Sequence, residues 1–216
     1  MLTKLLLLLV SLAFVLADFN LTDCNKSGGK GCLFAPPQCQ PNVDCKVHIS
    51  YRVEGADLVI ELGGTMQPEQ YMAVGFSLSG AMKETSVSGC YLNTDSKIHG
   101  FVGYIPSKRE VEMIPWDLQR LDHDASSYED GRLVCTLRRQ MSETNYQLIY
   151  DLNAQEYTIL TARGPYKGAL RKHEYKMAIG IYNLHEFDVG YDSAGYGAHY
   201  SFALITAVLL IPMLLT

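Results

Sequence analysis

A methionine and a histidine on predicted loops are the side chains of greatest chemical interest in this sequence. Met82 follows the strand-like run YMAVGFS (71–77) and a Gly/Ser turn, and polar residues 83–85 come directly after it. His173 follows another strand-like run, a Gly-Pro loop and apolar Leu170. A thioether fills irregular gaps in a core, whereas an imidazole acts as acid, base or metal ligand. The pattern alone fits a core-capping Met82 and a solvent-exposed His173, and it leaves a ligand role open for each.

The remaining histidines are His48, His99, His123, His185 and His199. His48 alternates with apolar Val47 and Ile49, so it is expected on the exposed face of a strand. His123 lies between acidic residues in an expected loop, and His199 lies in the C-terminal tail. His99 and His185 stay open as alternative imidazoles, and His185 is the second choice after His173.

The familiar catalytic patterns are absent from the sequence. It contains no Gly-x-Ser-x-Gly elbow, no His-Glu-x-x-His and no phosphate-binding glycine loop. Its 18 Lys and Arg against 23 Asp and Glu give a net charge of −5, which argues against nucleic acid as a partner. The sequence therefore gives no argument for hydrolysis or group transfer, and we expect no catalytic residues.

The elements that must position these side chains are β-strands. From residue 46 onward the apolar residues alternate with period two, as in KVHISYRV, and a turn at 54–57 leads to LVIEL (58–62). Further strands are predicted at 71–77, 87–92, 98–105, 110–116, 132–140, 145–152, 157–163 and 175–183. No segment shows the apolar stripe of an amphipathic helix. The expected fold is all-β, an antiparallel β-sandwich of about ten strands.

Both ends of the chain carry targeting patterns. Residues 1–17 resemble a secretory signal peptide, with Lys4 before an apolar core. At the other end, small residues, a short spacer and an apolar tail (194–216) form the pattern of a GPI-anchor signal. Ser193 is the predicted attachment site and Gly195 the alternative, which places the protein on the extracellular face of the plasma membrane. A single C-terminal transmembrane anchor is the competing interpretation.

Between these ends we expect a Cys-rich arm (18–45), one sandwich domain (46–184) and a linker (185–193). Asn20 and Asn25 begin N-glycosylation sequons in the arm. The six cysteines indicate three disulfides in a secreted chain. Cys90–Cys135 is expected because both residues fall in strand-like runs. The first four cysteines allow other pairings, and Cys24–Cys32 with Cys39–Cys45 is the one we predict.

Three blocks of the sequence resemble a known domain family. YMAVGFS, the loop methionine and SVSGCYL together resemble the DOMON domain, a β-sandwich named after dopamine β-monooxygenase. The early cysteine spacing, followed by ISYRVEGADLVIEL, is similar more narrowly to ferric-chelate-reductase-like DOMON domains. YTILTARGP and GALRKH look like the last core strands of that family and its histidine loop. The resemblance runs from about residue 24 to 182 and does not extend to the transmembrane cytochrome part of the reductases.

The resemblance implies one b-type haem at one end of the sandwich, and carries the axial ligands onto Met82 and His173, with His185 as the alternative. Thioether and imidazole together give low-spin, six-coordinate iron. It further implies a surface electron-transfer component that takes part in ferric iron reduction and needs a redox partner or membrane reductase. The flanking side chains expected around the haem are Tyr71, Phe76, Phe101, Tyr104, Leu160 and Tyr166. The rival hypothesis is a haem-free cell-surface interaction module that binds a protein or a glycan.

Overall fold

The computed structural model describes residues 24, 29–41, 43–107, 110–114, 119–142, 150–153 and 155–184. Several sequence predictions fall outside these residues: the signal peptide, Asn20, Asn25, His185, Ser193, Gly195 and the C-terminal tail. Within the described ranges no helix is long and apolar enough to cross a membrane.

Eleven strands make up the regular structure of the described residues. They are β1 (Gly31–Ala35), β2 (Val47–Glu54), β3 (Asp57–Thr65), β4 (Gln70–Ser77), β5 (Thr85–Leu92), β6 (Ile98–Ser107), β7 (Glu110–Met113), β8 (Gln119–Glu129), β9 (Arg132–Gln140), β10 (Tyr157–Pro165) and β11 (Tyr175–Tyr182).

The strands form two antiparallel sheets. One has five strands in the order β1-β2-β3-β9-β8, and the other has six in the order β11-β10-β4-β5-β6-β7. Apolar side chains from both sheets, among them Ile49, Leu62, Met72, Phe76 and Leu137, pack into one buried cluster. This confirms the predicted all-β sandwich.

Three disulfides join the pairs expected from the sequence. Cys90 of β5 is bonded to Cys135 of β9, so this bond ties the six-stranded sheet to the five-stranded one. Cys24–Cys32 and Cys39–Cys45 staple the segment expected as an arm. That segment also contributes β1, which pairs with β2 along its whole length.

Strand β8 is the element that the period-two pattern missed. Residues 119–129 are mostly polar and lie at the edge of the five-stranded sheet, where alternation is weak because much of the strand is solvated. Its pairing with β9 is interrupted between Asp122 and Ser127. His123, expected in a loop, lies in this strand. The strand predicted at 145–152 falls largely outside the described residues, and residues 150–152 are not in a strand.

His48 is buried, and the expectation that it is exposed was wrong. It lies opposite Gly63 of β3 and is only 2% exposed. A Cβ on Gly63 would come within 1.8 Å of the His48 Nε2 atom, so the glycine leaves the space that the imidazole fills. Alternation assigned His48 to the face opposite Val47 and Ile49, but it does not tell whether that face is covered.

Candidate functional site

A second apolar cluster covers the outer face of the six-stranded sheet. Tyr71 and Ala73 of β4, Val87 of β5, and Phe101 and Ile105 of β6 form it. The alternate residues of β4, such as Met72 and Phe76, point the other way into the core between the sheets. All five residues are buried, whereas an outer sheet face is usually polar and solvated, so this cluster is a candidate wall for a binding site.

A cavity of about 630 Å³ lies over this face. Such a volume is within the range of small-molecule sites, roughly 300–1,000 Å³. Small residues of three adjacent strands line it: Ala73 and Gly75 of β4, Ala162 of β10 and Ala178 of β11. A Cβ on Gly75 would approach Thr85 Cγ2 to 2.8 Å, so glycine keeps the floor low at that point. The cavity lies on the sheet face, which differs from the expected place at an end of the sandwich.

Met82 enters the cavity from the β4–β5 loop, residues 78–84. The buried hydroxyls of Ser77 and Thr85, at the two ends of the loop, both donate hydrogen bonds to the carbonyl oxygen of Ala81, at 2.7 and 2.9 Å. Gly80 takes a φ of +71° in the same turn. Met82 itself is half-buried and packs against the outer apolar cluster. The loop therefore fixes the methionine by hydrogen bonds to the preceding residue.

His173 enters from the β10–β11 loop, residues 166–174. The Tyr71 hydroxyl donates to the carbonyl oxygen of Arg171 at 3.1 Å and ties the loop down onto β4. Two backbone bonds hold it to β10: Arg171 N–H to Pro165 O at 3.0 Å and Glu174 N–H to Arg163 O at 2.9 Å. The loop thus folds back over the sheet, and its residue His173 is half-buried.

The two loops reach the cavity from opposite ends of strand β4. Met82 follows the C-terminal end of β4, whereas the His173 loop packs against Tyr71 at its N-terminal end. This arrangement follows from the antiparallel pairing of β4 and β10, in which Ser77 faces Thr158 and Tyr71 faces Gly164. A ligand lying on the sheet between the loops is flanked by a thioether on one side and an imidazole on the other.

The surroundings of His173 favour its neutral form. Burial lowers the pKa of this imidazole below its usual value, and the positive charges of Lys176 and Lys172 lower it further. A neutral imidazole has a free nitrogen lone pair, which is the form that binds a metal ion. Together with the thioether of Met82, the donor set suits a haem iron.

The other residues considered from the sequence fall into separate groups. Tyr71, Phe101 and Leu160 line the cavity, whereas Phe76 lies in the core, and Tyr104 and Tyr166 are not among the lining residues. His99 stacks on Tyr91 with ring centroids 5.0 Å apart and does not line the cavity. Cys39, Asp44 and Cys45 are close enough to hold a metal ion, but the two cysteines form a disulfide with each other.

Lys172 and Lys176 also line the cavity, and the sequence interpretation did not single them out. The sequence feature that could have identified these lysines is the basic run GALRKHEYK (168–176), which contains His173 and lies in a chain whose net charge is negative.

Known proteins of similar sequence carry the family name that the motifs suggest. The chain is 26% identical over 204 residues to "DOMON domain-containing protein FRRS1L" of Mus musculus and 25% identical to its Homo sapiens counterpart, in each case over 90% of this chain and 66% of the relative. It is 24% identical over 196 residues to "Ferric-chelate reductase 1" of Bos taurus, over 90% of this chain and 32% of the relative. The chain carries a DOMON-like domain. No protein-family model matches it.

Two solved structures are similar to the DOMON-like domain. The cytochrome domain of Myriococcum thermophilum cellobiose dehydrogenase gives a TM-score of 0.48 at 10% identity, covering 78% of this chain and 93% of that one. The cytochrome b domain of pyranose dehydrogenase from Coprinopsis cinerea gives a TM-score of 0.47 at 10% identity, covering 65% and 78%. The sandwich architecture rests on the strand pairings of this chain, not on these similarities.

Proposed function

We propose that the DOMON-like domain binds one b-type haem in the outer-face cavity, with Met82 and His173 as axial ligands, and that it serves as a surface electron-transfer component. One observation carries the proposal. The two residues are separated by 91 positions along the chain, yet both line the same apolar cavity, each on a loop with its own hydrogen-bonded anchor.

The residues around the cavity fit such a group in size and polarity. The volume of about 630 Å³ suits a flat macrocycle. Tyr71, Val87, Phe101 and Ile105 give it an apolar wall, which excludes water from a bound ring and favours binding by burial of apolar surface. The floor of Gly75 and Ala73 lets a planar group approach the backbone closely.

The identity of the two iron ligands determines whether a bound haem would transfer electrons or act on a substrate. A haem iron held by Met and His supplies one-electron exchange, and the Met ligand raises its reduction potential. Met82 and His173 would occupy both axial positions and leave no open site for oxygen or a substrate. The residues of this chain therefore bind, orient and shield the group, and no catalytic residue is assigned.

We further propose a membrane reductase as the electron donor and ferric iron, or another small oxidant, as the acceptor. The name of the bovine relative, "Ferric-chelate reductase 1", supports iron as the acceptor. The chain spans 66% of the FRRS1L proteins and 32% of the bovine reductase, so the activities of those whole proteins are proposals here. Ferric-chelate reduction by the purified domain, supplied with a chemical reductant, tests the acceptor.

We also propose attachment to the extracellular face of the plasma membrane through a GPI anchor at Ser193, with glycans on Asn20 and Asn25. The small residues and apolar stretch of 193–216 support the anchor. Treating intact cells with phosphatidylinositol-specific phospholipase C should release the protein into the medium. Protein that stays in the membrane pellet would favour the transmembrane alternative.

The decisive experiment is a visible spectrum of the ectodomain purified after expression with haem available. A sharp Soret band, with split α and β bands on reduction, supports low-spin ligation. Absence of any Soret band would eliminate the electron-transfer role and favour the haem-free interaction module.

Variants then test the ligands. Met82→Leu and His173→Ala should each abolish the six-coordinate low-spin spectrum, whereas His185→Ala should preserve it. If the haem spectrum changed only in His185→Ala, the imidazole ligand would be assigned to His185 instead of His173.

A further inference from the structure

We propose that Lys172 and Lys176 bind the carboxylate groups of the cavity's ligand, so that the acidic edge of the ligand lies on the β11 side of the cavity. The inference rests on the proposed function, in which these carboxylates are the haem propionates. It adds a binding subsite and an orientation that the axial ligands do not determine, because a planar ring can rotate about the axis that joins its two ligands.

The first step is the distribution of charge around the cavity. Lys172 and Lys176 are the only lysines among the described residues that line it, and no described acidic side chain lines it. Both lysines are exposed. The chain as a whole carries a net charge of −5, so a positive rim is a local feature rather than the general charge of the surface.

The second step is the position of the two lysines. Lys172 directly precedes His173 in the β10–β11 loop. Lys176 lies on β11 opposite Ala162 of β10, which itself lines the cavity. Residues opposite each other in an antiparallel pair project from the same face of a sheet. Lys176 therefore projects from the outer face, beside the cavity floor. An exposed lysine in such a position can cover the wall with its apolar stem and keep its ammonium group in water at the rim.

The third step is the availability of the two charges. Neither lysine forms an ion pair with an acidic side chain in the part of the chain that the structure describes. The nearest acidic residue in sequence, Glu174, is exposed and does not line the cavity. At the Met82 end the adjacent cation, Lys83, is paired with Glu84 at 3.7 Å. The free positive charge is thus concentrated at one side of the cavity.

The test compares two probes on the same variants: haem, and haem whose two propionates are esterified to the neutral dimethyl ester. Apoprotein is titrated with each probe and binding is followed by the Soret absorbance. Each of Lys172→Met and Lys176→Met should weaken haem binding about threefold, and the double variant about tenfold, as expected for solvent-exposed ion pairs. The titrations are run at pH 8, where the His173 imidazole is neutral with or without the neighbouring lysine charges. Under that condition the same variants should bind the dimethyl ester as the unchanged protein does.

Lys167→Met is the matched control, because Lys167 is an exposed lysine of the same loop outside the cavity. It should leave the affinity for both probes unchanged. The double variant should also keep the low-spin spectrum, since Met82 and His173 are intact. Lys172→Gln and Lys176→Gln repeat the test with polar replacements, and far-UV circular dichroism verifies the fold.

Two results would overturn the inference while leaving the proposed function in place. One is haem binding as tight in the double variant as in the unchanged protein. The other is an equal loss of affinity for haem and for its ester, which would assign the effect to packing rather than to charge. Failure of the unchanged protein to bind either probe would overturn the proposed function and this inference with it.

Discussion

Gly164 of β10 and His173 approach each other so closely that only a glycine fits at position 164. A Cβ on Gly164 would lie 2.7 Å from the Cα of His173 and 3.2 Å from the carbonyl oxygen of Lys172. These are backbone atoms, so the contact cannot be relieved by rotating a side chain. The missing side chain lets the β10–β11 loop lie directly on the sheet, and this brings His173 to the cavity.

Gly164→Ala should therefore displace the His173 loop. Overpacking of this kind typically costs about 1–3 kcal/mol of stability. The expected result is a lower urea midpoint together with weakened low-spin ligation in the haem-loaded protein. Gly168→Asn is the control in the same loop, because a side chain there meets open space and Asn tolerates the φ of +68°. A low-spin spectrum that survives Gly164→Ala unchanged would show that the loop does not set the ligand position.

The position of this loop could not be predicted from the sequence. Alternation identified β4 and β10 as strands because each packs one face into the core, and the family motifs pointed to Met82 and His173. Neither the alternation nor the family motifs predict the antiparallel register between β4 and β10. This register puts Tyr71 opposite Gly164 and places the two loops at opposite ends of the cavity. The cavity's place on the outer sheet face likewise depends on which strands are neighbours, a long-range property.

The Met82 loop should loosen when its hydroxyl anchors are removed. Ser77→Ala and Thr85→Val each delete a donor to the Ala81 carbonyl, and a hydrogen bond of this kind contributes about 1 kcal/mol. Because both donate to one oxygen, we expect the double variant to lose more than the two single losses combined. Urea unfolding measures stability, and the ferric thioether charge-transfer band measures Met82 ligation. Thr94→Ala, at an exposed position outside this loop, is the control. Additive losses in the double variant would contradict the shared-acceptor geometry.

The Cys90–Cys135 disulfide should contribute more to stability than Cys39–Cys45. The two bonds close loops with sequence separations of 45 and 6 residues. Loop-closure entropy predicts about 4 kcal/mol for the longer loop and about 2 kcal/mol for the shorter one. The matched double variants are Cys90→Ala/Cys135→Ala and Cys39→Ala/Cys45→Ala, compared by urea unfolding. The reverse order would mean that native-state packing, rather than the unfolded chain, governs the effect.

His48 and β8 show why local patterns fail at particular places. The position of His48 obeys strict alternation, but Gly63 opposite it opens a space that the sequence does not reveal from either strand alone. In β8 the alternation is lost where the strand bulges, and a residue of the paired strand β9 stabilises it. The Thr136 hydroxyl donates to Ala125 O at 2.8 Å, and the Thr136 N–H donates to Ser126 Oγ at 3.0 Å. Both cases depend on the register with the paired strand of a hairpin, which the alternation of a single strand does not give.

Because His48 is buried, the stability of the domain should decrease as the pH is lowered. Burial, followed by the charges of Arg132 and Lys30, lowers its pKa from 6.5 to about 3 in the folded state. Between these values the unfolded chain binds a proton at this site and the folded chain does not, so acid favours unfolding. Stability is therefore complete above pH 6.5 and falls as the pH drops towards 3, with a slope that approaches about 1.4 kcal/mol per pH unit.

The measurement is urea unfolding at a series of pH values from 7 down to 4. His48→Gln should flatten the slope, because the replacement has no group that titrates in this range. His123→Gln, at an exposed position of β8, is the matched control for loss of an imidazole. If His48→Gln and the unchanged protein lose stability in parallel between pH 6 and 4, proton uptake at His48 is not what destabilises the fold in acid.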